Sequence, residues 1–137
     1  GSPIVVCPGT IRWFDRSPPP VEDWLRRGIG VALGTDSRAS NRSMSMSDEL
    51  ALAAQMWPSL APASLLAMAT CHGGRALSRP GLGRLARGGR ADFFTVAADG
   101  RAPGSILEGF VHGQLVPSCT WLRGRPTKRV VQFASRH

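Results

Sequence analysis

The chain has 137 residues, 42% hydrophobic and 19% charged with 4 Trp and 5 Phe, which suits one ordinary domain and excludes the sparse, highly charged composition of disorder. Sixteen Gly and 11 Pro imply many turns and short elements without reaching low complexity. The net charge of +8 comes from 17 basic against 9 acidic residues spread along the chain, with one local cluster at Arg123, Arg125, Lys128 and Arg129. A solvated basic surface is the expectation, and nucleic acid is not expected as a partner.

The first element in chain order is Pro3-Ile4-Val5-Val6-Cys7-Pro8, a short apolar run closed by proline and predicted to be a strand buried on both faces. Pro18-Pro19-Pro20 then lead into a short helix carrying Val21, Trp24 and Leu25, stopped at Gly28. Gly28 to Gly34 is again apolar, so residues 4–34 read as a strand, helix and strand of a parallel α/β fold. A polar stretch follows, Thr35-Asp36-Ser37-Arg38-Ala39-Ser40-Asn41, at the strand end where ligands and catalytic groups collect in such folds.

Ser47 is predicted to cap a helix with Asp48 and Glu49 in its first turn, followed by Leu50, Ala53, Ala54 and Trp57 at helical spacing and stopped by Pro58. A longer helix from Pro62 would run through Leu65, Leu66, Ala69, Ala76 and Leu77 to Pro80-Gly81. Short strands are predicted at Ala91–Val96, Gly109–His112 and Thr120–Leu122, and Lys128–His137 reads as a basic tail or a last strand through Val130-Val131.

The order and wording of these segments resemble the C-terminal part of the amidohydrolase superfamily, in its branch of aminohydrolases, deaminases and chlorohydrolases. The leading match is Ala32-Leu33-Gly34-Thr35-Asp36-Ser37 followed by Ala39-Ser40-Asn41, similar to the segment that ends the family's eighth barrel strand. Val6-Cys7-Pro8, Pro20-Val21 with Leu25 and Gly28, Ala69-Thr70 with Gly74-Arg75-Ala76-Leu77, and Gly83, Leu85 and Gly88 before Ala91-Asp92 support it in the family's order. The resemblance implies an α/β fold: the last two strand-helix units of a metal-dependent (β/α)₈ barrel over 3–82, then a β-sandwich portion with a basic tail over 83–137. Such a barrel takes about 250 residues, so the chain is expected to be a C-terminal fragment. Two departures stand out, because Gly9-Thr10-Ile11 occupies the place of a Ser-Asn or Ser-His pair after Cys-Pro, and Gly89 the place of a common lysine.

By the same resemblance, the function is hydrolysis of C–N or C–Cl bonds in a small, heterocyclic substrate, with Zn²⁺ or Fe²⁺ as cofactor in the full-length enzyme. Asp36 would be both metal ligand and catalytic proton acceptor from the attacking water. On residues alone, Asp36 reads first as a turn-capping side chain, and the resemblance reverses that order. Ser37, Ser40 and Asn41 are expected to order its loop, Trp13 and Phe14 to wall a pocket for a flat ring, and Glu49 to be a first-turn helix charge rather than an acid. Met44, Met46, Met56 and Met68 read as core filler.

The family's histidine ligands have no counterpart, since the histidines are His72, His112 and His137. The isolated chain is therefore expected to be inactive, to hold no metal tightly, and to self-associate through unpaired strand edges. Cys7, Cys71 and Cys119 are widely spaced and odd in number, which implies reduced thiols. No run of about 18 apolar residues and no basic-then-apolar leader occurs, so no membrane partner and a cytoplasmic location are expected. A competing class is a small basic module using Trp121 and the Arg123 cluster on nucleic acid, and a third is a purely structural partner domain.

Overall fold

The computed structural model describes residues 2–127. The first strand, β1 (Ile4–Val6), pairs in parallel with β2 (Val31–Leu33) in the register Ile4 to Val31, Val5 to Ala32 and Val6 to Leu33. This is the expected strand-helix-strand unit. All three β2 residues are buried, but β1 is not buried on both faces as expected: Val5 is 52% exposed, because no described element covers that face of the edge strand.

Pro8 does more than close β1. It opens a helix, α1 (Pro8–Trp13), that the sequence reading left out, because a proline after a strand also suits the first helical turn, where its fixed φ is right and its missing N–H is not needed. The next helix, α2 (Val21–Arg26), follows the three prolines as expected, with Glu22 and Asp23 in its first turn and Gly28 beyond its end at φ +75°.

The helix α3 (Met46–Met56) is capped two residues before the predicted position. Ser45, not Ser47, accepts the Asp48 amide at 3.4 Å, and the amide of Ser45 is itself held by the Ser43 hydroxyl at 3.0 Å. Its predicted apolar face is real: Leu50, Ala53, Ala54 and the C-terminal Trp57 are buried, and the Trp57 indole donates to the Pro19 carbonyl at 2.9 Å. The long helix expected from Pro62 is two helices, α4 (Pro62–Ala69) and α5 (Cys71–Ala76). Thr70 breaks it at φ −126° and ψ −94° while its hydroxyl takes the Leu66 carbonyl at 2.7 Å. The turn brings His72 Nδ1 to 2.8 Å from the Val31 carbonyl, tying α5 to β2. Leu77, placed by spacing on a buried face, lies just past α5 and is 71% exposed.

The second half departs most at Gly109–His112. These residues form the last turn and cap of a helix, α6 (Pro103–Val111), in which Ile106, Leu107, Phe110 and Val111 share a helical stripe that a four-residue window conceals. Phe110 and Val111 join the core that Val6, Val21, Val31, Leu33, Leu50, Trp57, Leu65 and Met68 also build. Met68 is core and Met46 and Met56 pack against it, but Met44 is 47% exposed, in the loop before α3.

The two other predicted strands form. A three-stranded antiparallel sheet consists of β3 (Phe93–Val96), β4 (Pro117–Leu122) and β5 (Arg125–Pro126), with Phe93 stacked on Trp121 at a centroid distance of 5.6 Å. The chain is thus a mixed α/β unit. The expected basic tail, with Lys128, Arg129 and the strand through Val130-Val131, lies outside the described residues.

Leu65 is 2% exposed inside the core and Leu77 is not part of it. Leu65→Ala should therefore lower the unfolding free energy by about 2–5 kcal/mol in urea melts, and Leu77→Ala by less than about 0.5 kcal/mol. Equal losses for the two would show that Leu77 is buried in solution.

Candidate functional site

The parallel ladder ends when the Gly34 amide bonds the Val6 carbonyl at 2.9 Å, and the polar stretch begins one residue later. Asp36 leaves the strand with φ +55°, a left-handed conformation that short polar residues tolerate better than most. Its side chain is exposed at the carboxyl end of β2.

Two hydroxyls from different segments converge on one oxygen of Asp36. Thr10, in α1, donates to Oδ2 at 2.9 Å, and Ser40 donates to the same atom at 2.8 Å. Oδ1 has no side-chain donor among the described residues. The Ser40 hydroxyl foremost, then that of Thr10, holds the carboxyl below its ordinary range, with the Ser37 amide assisting and desolvation opposing. Asp36 is thus a charged oxygen donor whose Oδ2 is oriented by two hydroxyls and whose Oδ1 has no side-chain donor among the described residues.

The remaining sequence-predicted residues divide. Ser40 and Asn41 are buried beside Asp36, and the Asn41 amide donates to the Thr35 carbonyl at 2.8 Å. Ser37 is exposed, its carbonyl accepting the Ser40 amide at 3.1 Å and its hydroxyl 3.3 Å from that of Ser40. Trp13 and Phe14 sit at the far end of α1, both about half exposed. Trp13 lies under the Arg42 guanidinium, 5.9 Å from its ring centroid, and lines a depression of about 330 Å³ whose wall includes neither Asp36 nor Phe14.

Thr10, Gly9 and Glu49 were missed. Glu49 is fully buried, accepting the Gly9 amide on Oε2 at 2.7 Å and an Asn41 amide proton on Oε1. A Cβ at Gly9 would lie 2.3–2.5 Å from the Asn41 amide, so no larger residue fits there without moving Asn41. The signal for Glu49 was available: it precedes Ala53 by four residues and adjoins Leu50, inside the apolar stripe of α3. Beside this cluster the Cys7 thiol is pushed up by burial and then by the charges of Asp36 and Glu49.

The sequence profile of the Amidohydrolase family matches residues 4–116. The chain belongs to the amidohydrolase family. Among its relatives, the 5-methylthioadenosine/S-adenosylhomocysteine deaminase of Nitratidesulfovibrio vulgaris strain Miyazaki F is 48% identical over 80 residues, covering 53% of this chain and 18% of that protein. Among solved structures, E. coli guanine deaminase superposes with a TM-score of 0.80 at 18% identity, over 93% of this chain and 34% of that one, which bears on the fold alone. The atrazine chlorohydrolase of Arthrobacter aurescens TC1 complexed with zinc gives 0.75 at 26% identity, over 90% and 30%. These neighbours are (β/α)₈ barrel proteins of the same family. The chain spans about a fifth of the length of the curated relatives it matches.

This amidohydrolase chain fits a metal as the bearer of one ligand. The exposed Asp36 oxygen suits Zn²⁺ or Fe²⁺, and no group of three His, Cys, Asp or Glu side chains gathers around an ion among the described residues.

Because the folded-state pKa of Asp36 is depressed, its hydrogen bonds stabilise the fold above the ordinary carboxylate range and lose that effect as pH falls through the lowered value. Ser40→Ala should raise the midpoint of the Asp36 carboxyl in an NMR titration. An unchanged midpoint would remove Ser40 as the dominant cause.

Proposed function

We propose that this chain is the C-terminal part of a metal-dependent hydrolase that replaces an amino group or a chlorine on a small heterocyclic substrate with water-derived oxygen. The carrying observation is Asp36: a charged, exposed carboxylate at the carboxyl end of a parallel strand, gripped at Oδ2 by two hydroxyls and without a side-chain donor at Oδ1 among the described residues. The deaminase and chlorohydrolase activities named for relatives support this reaction class. In this reading residues 3–82 supply the last two strand-helix units of the barrel and 83–137 belong to a small β-sandwich. Three free thiols among the described residues accord with the cytoplasmic location we assign.

The metal, Zn²⁺ or Fe²⁺, would act as a Lewis acid that makes water a nucleophile near neutral pH. Asp36 would help hold the metal and would accept a proton from the water as its oxygen bonds to the electron-poor ring carbon. When the C–N bond breaks, that proton would pass to the departing nitrogen, which leaves as ammonia; when the C–Cl bond breaks, chloride leaves and the proton goes to solvent. Ser40 and Asn41 order the loop, as does Ser37, while Trp13 walls a neighbouring depression that includes neither Asp36 nor Phe14. The isolated chain has one ligand of the set, so it is inactive and its barrel strands pair with other copies.

In the full-length protein, Asp36→Asn should lower kcat by at least about 10²–10⁴-fold, the usual worth of general acid-base catalysis, and reduce bound metal. Arg123→Gln with Arg125→Gln should leave turnover unchanged. Normal kcat in Asp36→Asn, together with salt-sensitive oligonucleotide binding lost in the arginine variant, would instead establish the basic binding module.

Metal analysis of the isolated chain after dialysis should find less than one tightly held ion per chain. One stoichiometric ion lost on Asp36→Asn would contradict the incomplete ligand set.

A further inference from the structure

Glu49 is the one carboxylate in the buried set, and nothing in the proposed chemistry uses it. Its two oxygens take different partners. Oε2 accepts the amide of Gly9, the residue before Thr10, and Oε1 accepts the side-chain amide of Asn41, whose other proton goes to the carbonyl of Thr35, the residue before Asp36. Each arm therefore stops one residue short of the Thr10–Asp36 hydrogen bond. The Asn41 amide also fills the space a Cβ of Gly9 would need, so the two arms touch each other.

We infer that Glu49 and Thr10 are positioning residues for Asp36: Glu49 fixes from inside the fold the two segments that meet at the site, and the Thr10 hydroxyl fixes which carboxylate oxygen faces outward. The inference rests on the reading of Asp36 as a metal ligand. A buried carboxylate is costly unless its oxygens are hydrogen-bonded, and here both are used on backbone-proximal donors rather than on a cation. A glutamine would turn an N–H toward a donor, and a shorter acid would not span both arms. The position in the first turn of α3 favours the negative charge further. With Oδ2 occupied by Thr10 and Ser40, the carboxylate plane is set and Oδ1 is presented in one direction. Hydrogen-bond partners behind a metal ligand are commonly worth 10–100-fold in metal affinity or activity.

The test uses the full-length protein loaded with Co²⁺, whose visible absorption reports ligand geometry. Asp36→Asn is the reference and should abolish tight Co²⁺ binding. Thr10→Val and Glu49→Gln should each weaken Co²⁺ about 10–100-fold and alter the visible bands, with kcat falling more than KM rises. Thr10→Ser, which restores the hydroxyl, should return affinity and spectrum toward the wild type. Should Glu49→Gln fail to fold, Glu49→Asp, which keeps the charge and shortens the reach by one methylene, takes its place with the same expectation.

Wild-type affinity and spectrum in folded Thr10→Val and Glu49 variants, with Asp36→Asn defective, would overturn this inference alone. Wild-type binding in Asp36→Asn would overturn the ligand reading and this inference with it.

Discussion

The buried carboxylate of Glu49 constrains everything around the candidate site. It forms no ion pair among the described residues, so its charge must be met by N–H donors. Charge-assisted hydrogen bonds contribute about 1.5–3 kcal/mol each, against a desolvation penalty of several kcal/mol for a buried ion, so neither bond is dispensable. That requirement explains Gly9. The donor must approach closely beneath the Asn41 amide, and any side chain there would push the two apart. It equally explains why Asn41 is buried in a largely exposed loop: its amide has two protons, and both are committed.

The site is also a consequence of strand direction. Parallel pairing of β1 with β2 puts the carboxyl ends of both strands at the same edge, so the residues following each strand meet although 26 positions separate Thr10 from Asp36. An antiparallel pair would have put them at opposite ends. Asp36 then uses a left-handed backbone to turn its side chain back toward Thr10, a conformation costly for a β-branched residue and mild for aspartate. The helices α3, α4 and α5 hold β2 from behind through Leu33, Val31 and the His72 contact, so the edge that carries Asp36 is the end of the most buried strand.

What could be read in the sequence follows from how local each signal is. The two parallel strands, α2, the apolar stripe of α3 and the polar loop at Asp36 are written in runs of neighbouring residues, and the structure holds them, although one face of the first strand is exposed at Val5. The helix α1 was hidden because Pro8 serves two elements at once, ending one and starting the next. The strand expected at Gly109–His112 failed for the opposite reason: its residues are β-compatible alone, and only the span from Pro103 reveals helical spacing. Thr70 broke a helix whose periodicity continues across it, since a hydroxyl that can take its own helix's carbonyl is not visible as a breaker. Glu49 is the first-turn helix charge expected, but its burial depends on Gly9 and Asn41, 40 and 8 positions away, which no local pattern shows.

The departure at Gly9-Thr10-Ile11 is best understood through function rather than identity of side chain. This chain carries a hydroxyl at Thr10 and directs it to Asp36, a donor role that depends on the hydroxyl. Threonine adds a methyl and a stiffer χ1, which lowers the rotamer entropy lost when the hydroxyl is held against the carboxylate. Gly9, beside it, frees the backbone amide for Glu49. Adjacent residues of one short segment thus supply a hydroxyl to Asp36 and a backbone amide to Glu49.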